Sequence, residues 1–129
     1  TYASTAPNLA AIEFAWGGPH MIFYSRQDCR EPLEFAAARL AESAAQKMVV
    51  LAYEAVPLEL LPPGQSVRIG ALGLLLEKAS DRPARLRFEL DTLRALPPLY
   101  SGSGSVQDSL ILLSRLNAKL PDENNVMKN

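Results

Sequence analysis

Two apolar runs separated by a proline-rich turn constrain the fold of this chain more than any other feature of its sequence. Residues 48–53 form a continuous apolar run with β-branched members, which is typical of a central strand covered on both faces. Residues 67–78 have the pattern of a longer strand, in which Gly70 and Gly73 predict a bulge or a close backbone approach. Residues 61–64, with the sequence LPPG, break regular structure between them. Both apolar runs are far shorter than the roughly 20 residues of a membrane helix, so we expect no membrane insertion.

Helical periodicity flanks these runs on both sides. Leucine and alanine recur at helical spacing in residues 33–47, and Asp28 followed by Glu31 resembles a capping box that opens this helix. Ser105 followed by Asp108 opens a second helix in the same way, and a proline ends it. The apolar residues of the second helix share one side and are Val106, Leu110, Leu113, Leu116 and Leu120.

Three further segments have the composition or the period-2 alternation of strands. Residues 9–16 alternate apolar with polar or small side chains, and residues 21–25 form a short apolar and aromatic run that we expect to pair with them as a hairpin. Residues 84–92 alternate apolar with charged side chains and have the clearest strand pattern in the chain. The order β-β-α-β-β-β-α predicts an α+β fold, with a mainly antiparallel sheet of about five strands and helices packed on one face.

The length and composition favour a single domain. The chain has 129 residues, of which 48% are hydrophobic and 21% are charged, the balance of an ordinary globular domain. Residues 17–21 resemble an artificial joint, so one interpretation is that residues 1–16 are a tethered strand or a partner peptide, as in a fusion protein. Residues 101–105 have the composition of a flexible linker, and residues 122–129 form a polar tail.

The residues that usually carry chemistry are scarce. Cys29 is the single cysteine and His20 the single histidine, which excludes an intramolecular disulfide and a multi-cysteine or histidine-rich metal site. No nucleophile elbow, phosphate-binding glycine loop or zinc-protease motif occurs. We therefore predict no catalytic residues, no cofactor-binding residues, no metal ligands and no enzyme activity. The cysteine usage favours a reducing compartment, and we expect a cytoplasmic protein.

Apolar residues near both ends of the chain predict a protein partner or a homodimer. Ile12, Phe14 and Trp16 lie on one side of the first predicted strand, which would add to a partner by β-augmentation. Ile111 and Leu112 widen the apolar arc of the last helix beyond what one sheet requires. The sequence thus favours a non-catalytic interaction module, a subunit or adaptor that uses a sheet edge, the last helix, or both.

Two other sequence features suggest binding surfaces. Pro97, Pro98 and Tyr100 match the PPxY pattern that WW domains bind, since prolines preset an extended conformation for an aromatic groove. Arg85 and Arg87 point to the same side of the predicted strand at residues 84–92. Acidic side chains accompany these arginines and the formal net charge is -1, so a protein partner is favoured over nucleic acid.

Two alternative functions follow from the same residues. A small-ligand or regulatory domain would hold its pocket between sheet and helices, near the missing side chains of Gly70 and Gly73. A nucleic-acid-binding domain would use the arginine stripe, and its affinity would fall with salt.

Overall fold

A computed structural model describes residues 5–24, 27–56, 58–64 and 68–119. In chain order the elements are helix α1 (Thr5–Glu13), helix α2 (Arg30–Ala41), strand β1 (Lys47–Val56), a short 3-10 turn (Leu58–Leu60), strand β2 (Arg68–Glu77), helix α3 (Leu90–Ala95) and helix α4 (Ser105–Lys119). Within these residues the fold is α+β, with four α-helices and one two-stranded sheet.

The sheet is smaller than the sequence predicts. β1 pairs with β2 in an antiparallel ladder, from Lys47 opposite Glu77 to Val56 opposite Arg68. Both predicted strands of this pair are confirmed, and their ladder has no bulge at the two glycines. The sheet of about five strands is wrong, because the other three predicted strands form no ladder in the described residues.

The first predicted strand is a helix. α1 occupies Thr5–Glu13, and its alanine content favours that state. The helix ends before Ala15, whose φ of 53° lies in the left-handed region. Residues 21–24 have no regular secondary structure, and residue 25 lies outside the described residues. The predicted N-terminal hairpin is therefore wrong.

The segment at residues 84–92 has the predicted alternation without the predicted strand. Leu86 and Phe88 pack against the core, whereas Arg85 and Arg87 are exposed. No described strand pairs with this segment, and α3 begins within it at Leu90. The alternation reflects a segment that lies over the core without a strand partner, because alternating burial shows which side chains face the core and does not require a ladder.

Two predicted helices are confirmed with changes at their ends. α2 ends at Ala41, before a left-handed Ser43 with φ of 58°. Its N-cap residue, Cys29, makes no side-chain cap, and the backbone N–H of Arg30 donates instead to Asp28 Oδ1 at 3.1 Å. α4 begins at Ser105 as predicted, and its predicted end at the proline of residue 121 lies outside the described residues.

The core lies between one face of the sheet and three helices. The strand residues that belong to this core or pack against it are Met48, Val50, Ala52, Leu74 and Leu76. Both strands contact α2 and α4, and α3 packs against these two helices, so helices do lie on one face of this pair of strands. The buried apolar cluster comprises Cys29, Leu33, Ala36, Val50, Leu93, Leu96, Leu112 and Leu116. None of the helices in the described part of the chain combines the length and the apolarity needed to cross a bilayer.

Candidate functional site

The second face of the two-stranded sheet is apolar and uncovered. Side chains alternate across a strand, so directly paired odd-numbered residues share one face. We call this surface the bare face, and its members are Lys47, Val49, Leu51, Tyr53 and Ala55 of β1 with Ile69, Ala71, Gly73, Leu75 and Glu77 of β2. All ten are exposed, and Leu51, Tyr53, Ile69 and Leu75 are 65%, 68%, 79% and 64% exposed.

The bare face corrects one sequence prediction. Residues 48–53 were expected to be covered on both faces, whereas Val50 is buried and Leu51 and Tyr53 are exposed. Two strands about 4.8 Å apart and ten residues long make a surface of roughly 10 Å by 33 Å, or about 330 Å². The largest apolar patch of an ordinary monomer is of about this size and is often functional.

A second group of exposed apolar side chains lies on residues 5–24, which we call the arm. Its exposed members include Leu9, Ile12, Phe14, Trp16, Met21 and Tyr24. The rings of Phe14 and Trp16 stack with centroids 5.2 Å apart. Phe23 meets Phe35 of α2 edge-on at 6.0 Å, so this contact fixes one end of the arm to the domain. Ile12, Phe14 and Trp16, the partner-binding residues that the sequence suggests, are thus exposed on the end of a helix and the turn after it.

The apolar arc of α4 is mostly used within the domain. Leu112 is 1% exposed and belongs to the core cluster. Ile111 is half-buried, and Leu110 is the more exposed of the three consecutive residues. Leu112 therefore has no surface to offer a partner in this structure, and the partner-binding hypothesis for α4 rests on its neighbours.

The arginine segment lies beside the charged end of the bare face, at Glu77. Arg87 Nη2 donates to the carbonyl of Arg82 at 3.0 Å, and Arg82 Nη1 lies 3.5 Å from Glu77 Oε2. Arg85 is exposed, so these cations share their surface with a carboxylate. This mixture gives no uniform positive stripe for a phosphate backbone.

The PPxY-like segment is exposed, and hydrogen bonds from Arg30 hold its first residue in place. Pro97, Pro98 and Tyr100 are exposed, and Leu99 between them is half-buried. The guanidinium of Arg30 donates to the carbonyls of Leu96 and Pro97, the latter at 2.9 Å. The hydrogen bonds from Arg30 therefore hold the PPxY-like segment against the start of α2.

Buried polar side chains surround Cys29. Asp28 and Ser109 are almost fully buried and act on the thiol. Burial raises the pKa of Cys29, a hydrogen bond with Ser109 lowers it less, and the charge of Asp28 raises it further. The thiol is therefore protonated near neutral pH and is a poor nucleophile.

Sequence reasoning missed the burial of Asp28 and Asp108 because both residues resemble helix caps. Asp108 instead accepts hydrogen bonds from the backbone N–H and hydroxyl of Ser101, and Asp28 Oδ2 is buried without a hydrogen-bond partner. Among the described residues, no three histidine, cysteine or carboxylate side chains come together as metal ligands.

The two glycines of β2 do not front the predicted pocket. A Cβ at Gly70 would lie 3.6 Å from the side chain of Val106, so α4 occupies the space beside it. A Cβ at Gly73 would lie 3.3 Å from Leu51 on the bare face. An open groove of about 680 Å³ lies instead between α3 and α4, lined by residues that include Asp91, Leu96 and Arg115.

Comparisons of the chain with protein-family models, with curated proteins and with solved structures found no significant match.

Proposed function

We propose that this chain is a non-catalytic protein–protein interaction module, a subunit or adaptor that binds a protein partner through the bare face. The observation that carries the proposal is the set of apolar side chains on that face, which no described part of the chain covers. The largest apolar patch of a monomer is often its functional surface, and the bare face has the size of such a patch.

The energetics favour a partner that covers more than the bare face alone. Burying the whole face of about 330 Å² gains at most roughly 8 kcal/mol at 25 cal/mol per Å², because Lys47 and Glu77 contribute part of this area. Association costs on the order of 4–15 kcal/mol in lost translational and rotational freedom. The face alone therefore gives weak binding, and further apolar contacts are required for a stable complex.

The surroundings of Cys29 support a non-catalytic role. A thiol nucleophile acts as the thiolate and needs access to substrate, whereas Cys29 is buried and its pKa is raised by that burial.

Site-specific photo-crosslinking in native cells tests the proposal. A photoreactive phenylalanine analogue at Leu51 is expected to yield a discrete cross-linked protein species, because Leu51 lies at the centre of the bare face. The matched control places the same analogue at Leu60, which is 74% exposed but lies outside the sheet. Equal yields from the two positions, or no discrete species from Leu51, would reject the proposal.

A further inference from the structure

The bare face and the arm are two unpaired apolar surfaces of the same chain. We propose that the occupant of the bare face is the arm of a second copy, in a symmetric dimer where each copy covers the other. This inference rests on the proposed function and names its partner. A two-fold dimer is the commonest closed assembly, and exchange of an identical element is an accessible route to it.

The area favours exchange over simple contact between two bare faces. Face-to-face stacking would bury about 330 Å² on each copy, or roughly 660 Å² in total, which is below the 1,200–2,000 Å² of stable interfaces. Exchange creates two arm-on-face contacts, each burying a similar area on both surfaces. Reaching this area requires the arm to cover the face along its whole length, which gives a total of roughly 1,300 Å², at the lower end of the range of stable interfaces; α1 alone would give less than half of it.

The shape of the arm suits this position. The bare face is about 10 Å wide, which matches the 10–12 Å diameter of one helix with its side chains. α1 has nine residues and is therefore about 14 Å long, so it covers less than half of the 33 Å length. The stacked rings of Phe14 and Trp16 follow directly and extend the apolar surface.

The charges are compatible with the same arrangement. The arm contains one carboxylate, Glu13, and no lysine or arginine. The bare face is uncharged except at one end, where Lys47 lies opposite Glu77. An arm that is oriented with Glu13 towards Lys47 would bury no unpaired charge, a condition that stable interfaces require.

Trp16 provides a direct probe because it is the only tryptophan in the chain and is 53% exposed in the single copy. We would measure mass by sedimentation velocity and tryptophan emission on the same samples, from about 1 to 100 μM. The expected result is a doubling of mass accompanied by a shift of emission to shorter wavelength over the same concentrations, since the dimer would bury the indole ring.

Three variants test whether the arm and the bare face form the dimer interface. Ile12→Ser on the arm and Leu51→Thr on the bare face are each expected to weaken dimerisation by about tenfold or more, the effect of a central anchor residue. Leu60→Thr removes an equally exposed leucine outside both surfaces and is expected to leave the dimer unchanged.

The outcomes separate this inference from the proposed function. A dimer whose Trp16 emission stays constant, or one that is insensitive to Ile12→Ser, would overturn arm exchange. A chain that remains monomeric to 100 μM would also overturn it. In either case the cross-linking yield at Leu51 still decides independently whether another protein covers the bare face.

Discussion

Replacing Glu54 with alanine tests how strongly a side chain of the sheet fixes the start of α4. Glu54 Oε2 accepts a hydrogen bond from the backbone N–H of Ser105 at 2.9 Å and lies 3.4 Å from its hydroxyl. The first N–H groups of a helix have no partner within the helix, and the positive end of the helix dipole favours a carboxylate. Glu54 therefore acts as a helix cap supplied from β1.

The size of the effect follows from these contacts. Loss of a helix cap costs about 1–2 kcal/mol, and a fully buried charged hydrogen bond would contribute about 1.5–3 kcal/mol. Because Glu54 is half-buried, water replaces part of the interaction, so we expect Glu54→Ala to lower the free energy of unfolding by about 1–2 kcal/mol. At this chain length the midpoint of thermal unfolding should fall by roughly 3–10 °C.

Urea denaturation followed by circular dichroism measures this change. Glu59→Ala is the matched control, since it removes the same charge from an exposed position in the 3-10 turn. Equal unfolding free energies for the two variants would refute the assignment of Glu54 as a cap.

A double-mutant cycle with Gly104 sharpens the test. Gly104 has a φ of +112°, and a Cβ there would lie 2.6 Å from Glu54 Oε2. Gly104→Ala should therefore destabilise the chain through backbone strain and through a clash with the carboxylate. Removing the Glu54 side chain relieves only the clash, so the two substitutions together should cost less than the sum of their separate effects.

Three further predictions concern buried groups. The pKa of Cys29 is raised in the folded chain, so the folded state keeps a proton that the unfolded state loses. The free energy of unfolding should therefore fall as pH rises through about 8.5. Urea denaturation from pH 7 to 10 should show a free energy of unfolding that changes less with pH in Cys29→Ala than in the original chain. Leu112→Ala should cost about 2–5 kcal/mol and Leu110→Ala, at a more exposed site, less than half as much by the same assay. Arg30→Lys should cost about 1 kcal/mol, because lysine lacks the fork that reaches two carbonyls, whereas Arg94→Lys at an exposed position should change the unfolding free energy by less than about 0.5 kcal/mol.

Local patterns predicted the elements that form the core. α2, α4 and both strands were predictable because each has an apolar periodicity that agrees with its own backbone state. The segment at residues 84–92 has equally clear alternation, but strand formation also requires a neighbouring backbone, which no local pattern contains. The helix at Thr5–Glu13 was missed because alternation near its end outweighed its alanine content.

The bare face was predictable only in part. Residues 48–53 are apolar at both odd and even positions, so the sequence indicated that both faces of β1 need a cover. The sequence could not indicate which face of β1 is covered by helices of the same chain, because that depends on the side of the sheet against which α2 and α4 pack. Glu54 shows the same limit, because its partner Ser105 lies 51 positions further along the chain.

The position of α4 along the chain has a consequence for synthesis. The hairpin of β1 and β2 is complete at Glu77, but Leu112 and Leu116, which complete the core, lie more than 30 residues further along the chain. Because a chain emerges from the ribosome N-terminus first, α2 is already available to the nascent hairpin, but the part of the inner face that α4 covers stays open until α4 has left the exit tunnel. At 5–20 residues per second this interval lasts a few seconds, during which the hairpin is a natural substrate for chaperones.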